Sequence, residues 1–300
     1  MSVVVPVLNG AETIGDMLRA LVTQLGLPDP PEIVIVDNGS TDATREIVGQ
    51  FAVTLIEEPK RNPGAARNRG LHHARGDVIA HLDADTLPTR RWLAEIVAPF
   101  ANSEVHLVAG RTLSFRPETA AERYSARANM YDAEHTINRP ILPFAASLNL
   151  AVRRRSALAI DGWADDMRTA EDLDFCHRLR HAFPVPGIYQ AKAVLFHRNR
   201  QSDAALWRQA WSYGEGAAEL YARYPESLRW GAAQRIGVTR GLAAKLALAA
   251  WSQVAWQLGT GSAADAEFAT YGWRWGWNFW RGFFHYRRHR VYQRDPRHTP

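Results

Sequence analysis

The chain has 300 residues, of which 46% are hydrophobic and 22% charged. Such values describe a globular chain long enough to bury a sizeable core, so wholesale disorder is excluded. The single cysteine, Cys176, cannot form an intrachain disulfide, which excludes a disulfide-stapled scaffold and a cysteine-rich zinc site. No basic and apolar leader precedes the first apolar segment, so we expect no signal peptide and a cytoplasmic location.

The formal net charge of +5 belongs to the end of the chain. Residues 281–300 contain six arginines and one acidic residue, Asp295, whereas basic and acidic side chains balance in the rest of the chain. Seven of the eleven tryptophans lie between residues 230 and 280. The protein therefore has a neutral body and an end rich in arginine and tryptophan, and we expect no nucleic-acid partner.

The first hundred residues alternate between strand-like and helix-like segments. Continuous apolar, β-branched runs, which are typical of strands buried on both faces, occupy residues 2–8, 32–37, 53–56 and 77–82. Helical spacing of apolar residues follows each run. A capping-box pattern from Asn9 to Glu12 precedes the first helix, Pro63 opens the third, and Pro88 suits the first turn of the fourth. This alternation predicts an open α/β sheet with helices on both faces.

The second hundred residues are less regular. Strands are predicted at residues 105–113, 145–152 and 193–196, and helices at residues 118–134 and 170–181. A long helix capped by Asp203 ends at Pro225. We expect one α/β domain over residues 1–225 and a helical, aromatic and basic extension over residues 226–300.

Polar side chains follow three of the predicted strands. Asn9 follows the first strand, Asp37 ends the second, and Asp83 and Asp85 follow the fourth. Ligands of open α/β sheets bind outside the carboxyl ends of the strands. We therefore expect these four side chains to gather along one edge of the sheet and to form a ligand site.

Asp83 and Asp85 flank one residue at the end of a buried strand. Two carboxylates in that position need a cation or basic partners. Magnesium or manganese held by one or two carboxylates together with substrate phosphates is the usual arrangement. The alternative is a helix-capping turn, in which Asp85 caps the next helix.

Two residues nearer the start of the chain each have two interpretations. Asp37 is either a turn-forming residue of the Asp-Asn-Gly-Ser sequence or an acceptor for a base or ribose. Arg67, followed by Asn68, lies near the start of a predicted helix, a position that favours phosphate. The alternative for Arg67 is a solvated basic face shared with Arg61 and Arg69.

Three residues of the less regular half carry further chemistry. Glu171 and Asp172 open a predicted helix, where acidic residues complement the helix dipole. The functional alternative is a general base that deprotonates an attacking hydroxyl. His197 ends the last predicted strand, either as a structural histidine or as a further metal ligand beside the aspartate pair.

Four segments together resemble family 2 glycosyltransferases of the GT-A fold. They occur in the family's order, the resemblance covers roughly residues 1–225, and they comprise residues 2–14, 33–44, 62–85 and 170–175. The resemblance implies an inverting transfer from a nucleotide sugar, with a UDP-sugar expected before a GDP-sugar, to a saccharide or lipid-linked acceptor of cell-envelope polysaccharide synthesis. It divides the domain into a donor-binding half, residues 1–110, and an acceptor-binding half, residues 111–225.

The resemblance also implies a role for each donor-side residue. Pro6 and Asn9 correspond to the loop that meets the nucleotide, and Asp37 corresponds to the aspartate that contacts the base. Arg67 corresponds to an arginine near the nucleotide. Asp83 corresponds to the first acid of the family's aspartate pair, which leans toward the ribose and shares the metal.

The remaining positions correspond to the metal and to the chemical step. Asp85 corresponds to the main ligand of Mn²⁺ or Mg²⁺, and His197 falls where some members supply a third ligand. Asp172 corresponds to the general base. Glu171 beside it corresponds to a residue that contacts the acceptor or orders the loop.

The departures from the family pattern narrow the function. The stretch after His197 lacks the Gln-x-x-Arg-Trp pattern of processive polysaccharide synthases, so we expect a single addition. A sugar nucleotidyltransferase is disfavoured, because the loop from Asn9 to Glu12 has one glycine and no basic residue. A module that binds a nucleotide sugar without catalysis is the other alternative.

The C-terminal extension has two interpretations. Residues 246–264 carry no charge but contain polar residues that weaken a membrane-spanning prediction. Residues 271–286 mix aromatic residues with arginine, a composition that suits an interface with anionic headgroups. The predictions are a peripheral contact of residues 246–300 with the cytoplasmic leaflet, or a helical packing unit with a solvated arginine tail.

Overall fold

The computed structural model describes residues 1–290, and side chains through residue 288. The described chain divides into two compact units. The sheet unit contains residues 1–116 and 129–198, and the helical unit contains residues 117–128 and those from 199 onward. The second division between the compact units follows residue 198. The boundary near residue 225, between a catalytic domain and a C-terminal extension, remains a prediction.

The sheet unit contains eight strands and most of the shorter helices. The strands are β1 Ser2–Val7, β2 Glu32–Asp37, β3 Thr54–Glu57, β4 Val78–Leu82, β5 Thr86–Pro88, β6 Leu107–Ser114, β7 Asn149–Arg153 and β8 Ile188–His197. The α-helices are α1 Ile14–Val22, α2 Thr44–Val48, α3 Pro63–His73, α4 Trp92–Val97, α6 Arg154–Ala159 and α7 Glu171–Ala182, and a 3₁₀ turn follows α4 at Ala98–Ala101.

All eight strands form one mixed sheet in the order β3-β2-β1-β4-β7-β6-β8-β5. The first four strands are parallel, with β1 between β2 and β4. Strand β7 is antiparallel to both β4 and β6, and β5 is antiparallel to β8. The strand order reverses beside β1, and the crevice at such a reversal is where open α/β sheets bind ligands.

Helices cover both faces of the sheet, as predicted. Val3 and Val5 of β1 face a core formed with α1, α2 and α4, whereas Val4 points to the opposite core formed with α3, α6 and α7. This alternation follows from the two-residue period of a strand. Helix α3 lies so close to β1 that a Cβ atom added at Gly70 would come 2.3 Å from Val4 Cγ1. Helix α3 is therefore packed closely against the middle of β1.

Several local predictions were wrong. Asn9 does not cap α1, because that helix begins at Ile14 after Thr13 and Asn9 has a left-handed backbone conformation with φ of 53°. Pro88 ends the short strand β5 instead of opening a helix. The helix predicted over residues 118–134 is confined to α5, Ala120–Arg127, and the chain turns at Asn129 with φ of 50°.

The helical unit consists of α5 and three long helices, α8 Asp203–Arg223, α9 Ala232–Gln257 and α10 Ala263–Arg290. Helix α8 starts one residue after its cap, Ser202, whose hydroxyl accepts from the Ala205 N–H; the predicted cap at Asp203 was therefore wrong by one residue. Helices α8 and α10 meet at glycines, because a Cβ atom on Gly214 would come 1.9 Å from the Phe279 carbonyl oxygen. No helix of the described residues is long and apolar enough to span a bilayer.

Candidate active site

The first two loops at the carboxyl edge are tied together. The Asn9 backbone N–H donates to Ser40 Oγ at 2.9 Å, and the Asn9 side-chain oxygen accepts from the Thr41 N–H at 2.8 Å. The Gly10 N–H donates to Thr44 Oγ1 at 2.8 Å. Asn9 therefore holds the loop after β1 against the loop after β2. Pro6 is half-buried on β1, opposite Val36 of β2.

Asp37 lies at the end of β2 and is 2% exposed. The Ser40 N–H lies 3.2 Å and 3.3 Å from its two carboxylate oxygens, which confirms the predicted turn-forming contact. The same loop is held from the other side by Asn38, whose amide donates to the carbonyls of Glu58 and Lys60. Asp37 is thus fixed at the sheet edge, and its contact with a base remains a prediction.

Arg67 on α3 joins two parts of the sheet unit. Arg67 is 3% exposed, so its interpretation as part of a solvated basic face was wrong. One amino group donates to Asp83 Oδ1 at 3.0 Å and the other to Glu171 Oε1 at 2.9 Å. Burial acts to lower the pKa of Arg67, but the charges of Asp83, Glu171 and Asp172 raise it above the ordinary value. Arg67 therefore stays charged and links β4 to the start of α7.

The aspartate pair sits where the sequence pattern predicted it. A tight turn follows β4, in which the Thr86 hydroxyl and N–H both donate to the Asp83 carbonyl. Strand β5 comes next and α4 begins only at Trp92, so the alternative of Asp85 as a helix cap was wrong. Asp85 Oδ2 lies 3.6 Å from His197 Nε2, because β5 pairs with the end of β8. Burial, and then the charge of Asp85, raise the pKa of Asp83, against the opposing charges of Arg67 and His197.

These residues fit a divalent cation in the chemistry of their donors. Carboxylate oxygens and an imidazole nitrogen suit Mg²⁺ or Mn²⁺, and Asp85 and His197 already converge. Within residues 1–290 there is no group of three or more His, Cys, Asp or Glu side chains arranged to hold a metal. The predicted set of Asp83, Asp85 and His197 is therefore not preassembled, and Asp83 instead accepts from Arg67. One or two carboxylates completed by substrate phosphates remain a suitable set.

Glu171 and Asp172 begin α7 beside Arg67. The preceding residue, Ala170, has a left-handed backbone with φ of 66° and provides no side-chain cap. A non-glycine residue in this conformation costs about 1–3 kcal/mol, and such strain concentrates at functional sites. Burial, and then repulsion from Glu171, raise the pKa of Asp172 to about 7, against the charge of Arg67 and two backbone hydrogen bonds. Asp172 is thus poised to exchange a proton near neutral pH.

An aromatic support lies beneath these charged groups, and the sequence patterns did not reveal it. The Trp163 ring lies 5.2 Å from the Arg67 guanidinium and stacks on Phe175 of α7 at 4.0 Å. Asn68 exchanges two hydrogen bonds with the Trp163 backbone, at 2.7 Å and 2.8 Å. Asn68 therefore fixes the Trp163 loop and does not face a phosphate. The sequence signal here is Asp161-Gly162-Trp163, which is typical of a turn, and Asp161 and Gly162 do have positive φ angles.

The site therefore combines acids around one buried arginine with a histidine beside Asp85. This arrangement is typical of the GT-A fold, whose members use nucleotide sugars. The family model described as "Glycosyl transferase family 2" matches residues 2–160. This match covers more than half of the chain, and the chain belongs to that family. The resemblance drawn from the sequence segments is confirmed.

Relatives and a solved structure extend this result. The chain is 37% identical over 162 residues to glycosyltransferase AglE of Haloferax volcanii, covering 51% of this chain and 52% of that protein. It is 32% identical over 238 residues to the pre-mycofactocin glycosyltransferase of Mycobacterium tuberculosis, covering 75% of this chain and 48% of that protein. The chain thus spans about half the length of these curated relatives. The mannosyltransferase PcManGT from Pyrobaculum calidifontis, in complex with GDP-Man and Mn²⁺, aligns with a TM-score of 0.65 at 20% identity, covering 98% of this chain and 87% of that one. This likeness confirms the GT-A fold.

Proposed function

We propose that the protein transfers a sugar from a nucleotide-sugar donor to an acceptor hydroxyl, with the help of a divalent cation and with inversion at the anomeric carbon. The observation that carries the proposal is the buried Arg67 bridge between Asp83 and Glu171. This bridge links the end of β4, where Asp83 lies, to the start of α7, where Asp172 lies. A binding residue and a proton acceptor in one connected network are what a group transfer requires.

The donor side of the proposal rests on the tied loops at the carboxyl edge. We assign the base to Asp37, the nucleotide to the loop of Pro6 and Asn9, and the ribose side to Asp83. Arg67 holds Asp83 on the donor side, since one of its amino groups donates to Asp83 and the other to Glu171. The complex of the structural neighbour with GDP-Man makes a guanosine donor a candidate beside the uridine donor expected from the family.

Asp85 and His197, with a share from Asp83, would hold Mn²⁺ or Mg²⁺. When bound, such a cation neutralises the charge that develops on the nucleoside diphosphate leaving group. The complex of the neighbour with GDP-Man and Mn²⁺ supports the use of a divalent cation. Asp85 is the residue whose loss should remove metal-dependent donor binding, because its carboxylate faces His197 and not Arg67.

Asp172 is the proposed general base. It takes the proton of the acceptor hydroxyl as that oxygen forms a bond to the anomeric carbon, and the bond to the diphosphate oxygen breaks on the opposite face. A pKa near 7 makes the carboxylate available at neutral pH and basic enough to accept the proton. Glu171, held by Arg67, orients the start of α7 and contacts the acceptor. The acceptor is a saccharide or a lipid-linked sugar, extended by one addition.

Donor binding and chemistry need separate tests. Thermal-shift titration with UDP-, GDP- and dTDP-sugars, with and without Mn²⁺, should show a rise in melting temperature for one nucleotide only when metal is present. Asp85→Ala should lose this rise, whereas Asp172→Asn should keep it. Release of the nucleoside diphosphate, measured with the donor that binds, should fall at least about 100-fold in Asp172→Asn and remain unchanged in Asp165→Asn, a half-exposed carboxylate paired with Lys60.

The outcomes separate the proposed enzyme from its alternatives. Metal-dependent binding without nucleoside diphosphate release, in the parent as in Asp172→Asn, would identify a binding module. Absence of any thermal shift would contradict the donor site itself. Release that survives in Asp172→Asn would leave the donor site standing and remove Asp172 as the general base.

A further inference from the structure

Helix α9 of the helical unit has one packed face and one open face. On the packed face, Gly276 of α10 lies against Leu242 and Lys245, and Gln253 donates to Thr270 Oγ1 at 3.0 Å. Ala249, at the centre of this face, is 6% exposed. The opposite face of the helix points away from α10, and no other described part of the helical unit covers it.

The open face is apolar over most of its length. Its large side chains recur at helical spacing and are much exposed, at 58% for Ile236, 67% for Trp251 and 71% for Leu258. Val254, at 45%, belongs to the same face, and Leu248, at 57%, borders it. Alanines fill the turns between them, at positions 243, 244 and 247. We call this surface the α9 stripe. A contiguous apolar surface of this kind marks a contact site.

The charge around the α9 stripe has one sign. Residues 227–264 contain four basic side chains and no acidic one; the basic residues are Arg229, Arg235, Arg240 and Lys245. Arg240 lies one helical turn from Ile236 on the open face, and its long side chain can carry its charge out of an apolar contact. Lys245 lies on the packed face against Gly276, whereas Arg240 belongs to the open face. An apolar stripe with tryptophan and leucine that also carries arginine is a composition found in helices that lie in a membrane interface.

The aromatic run of α10, which the sequence pattern favoured for membrane contact, is engaged elsewhere. Phe283 is 0% exposed and packs against Tyr221 of α8 and against Trp230. Of the large hydrophobic side chains between residues 271 and 286, Trp277 alone is exposed. Apart from Trp277, the large aromatic side chains of the α10 run are therefore buried or half-buried, which favours the packing interpretation. Residues 291–300, with Arg294 and Arg297, lie outside the described residues.

We propose that the α9 stripe binds the surface of an anionic lipid bilayer, with the helix lying in the plane of the interface. Charge complementarity selects this partner. A second copy of the chain would bring two positive surfaces together without an acidic residue between positions 227 and 264 to pair with them. Anionic headgroups attract each nearby Lys or Arg, and the acyl boundary accepts Trp251 and Leu258.

Vesicle flotation of the full chain tests the proposal. The protein should float with vesicles of phosphatidylcholine mixed with phosphatidylglycerol, float much less with phosphatidylcholine alone, and detach at high salt. The double variant Trp251→Gln with Leu258→Gln should bind the vesicles at least about tenfold more weakly than the parent, since it loses two apolar anchors. Arg240→Gln should bind about fivefold more weakly. Ile141→Gln is the matched control, because Ile141 is 61% exposed in the sheet unit.

All three α9 positions are exposed, so the variants should keep the parent melting temperature. Binding of the double variant equal to that of the parent, or equal flotation with both types of vesicle, would overturn the proposal. Failure of the parent protein to float with either type of vesicle would also overturn the proposal. If sedimentation then showed a dimer that the double variant loses, the α9 stripe would be a contact between copies of the chain. Vesicle binding is read without donor or acceptor, so its outcome is independent of catalysis.

Discussion

Replacement of Asp172 by asparagine should abolish transfer and yet stabilise the fold above neutral pH. Burial and repulsion from Glu171 raise the pKa of this carboxyl from 3.8 to about 7. The ionised form is therefore held at a cost in the folded protein, whereas in the unfolded chain it ionises freely. Asparagine has nearly the same shape and carries no charge, so the cost disappears in the variant.

The magnitude follows from the size of the rise. About three pKa units at roughly 1.4 kcal/mol each give about 4 kcal/mol as the full cost of ionising Asp172 in the folded state. Because the folded pKa is the higher one, the stability contributed by the protonated carboxyl is complete below pH 3.8 and is lost as the pH rises through about 7. Repulsion from Glu171 supplies part of this cost, so we expect a gain of about 2 to 4 kcal/mol for the variant at pH above 7.

Chemical denaturation at two pH values measures this gain. The free energy of unfolding of Asp172→Asn should exceed that of the parent at about pH 8, and the difference should shrink at about pH 5. The control is Asp165→Asn, which removes a half-exposed carboxylate and should show no pH-dependent gain. A variant that is less stable than the parent at the higher pH would refute the reasoning, and so would a gain that does not change with pH.

Three further predictions concern the same network. The transfer rate at saturating metal should rise as the pH increases through about 7, because Asp172 must be ionised to act as the base. A transfer rate that does not change across this pH range would contradict the role of Asp172. Arg67→Lys should destabilise the fold by about 1–3 kcal/mol in denaturation experiments and lower kcat about tenfold or more, because a single ammonium nitrogen does not reproduce the fork that places one amino group on each carboxylate. Kinetics like those of the parent would show that the bridge is dispensable. Gly70→Ala should cost about 1–3 kcal/mol of stability without changing donor affinity, since the new methyl group would meet Val4; unchanged stability would show that α3 can shift away from β1.

The local parts of the fold and the site were predictable from the sequence. The apolar runs of β1, β2 and β4 are nearly continuous. Such a run is what a parallel strand buried on both faces requires, so these strands could be recognised from the sequence. The polar residues that follow them converge because parallel strands end at a common edge, so Asn9, Asp37 and Asp83 could be placed before the structure was known.

The long-range parts were not predictable. Arg67 precedes Glu171 by 104 residues, and helical periodicity could only place the arginine on α3, not beneath a second helix. Trp163 lies in a turn whose sequence shows no periodicity, so its position under Arg67 depends on the tertiary fold. Strand β5 has three residues, too few for a period-two pattern, and its pairing with β8 is what brings Asp85 to His197.

The charges of the site explain why donor and cation binding should be coupled. Asp83, Glu171 and Asp172 lie around one arginine, and Asp85 lies beside His197. Burial, together with the charge of a neighbouring acid, raises the pKa values of Asp83 and Asp172 despite the charge of Arg67. A nucleoside diphosphate brings further negative charge to the same edge of the sheet, and like charges there disfavour its binding by several kcal/mol. The proposed divalent cation, held by Asp85 together with the phosphates, would reduce this repulsion. By linkage the donor must tighten the cation by the same factor, so each should raise the apparent affinity of the other.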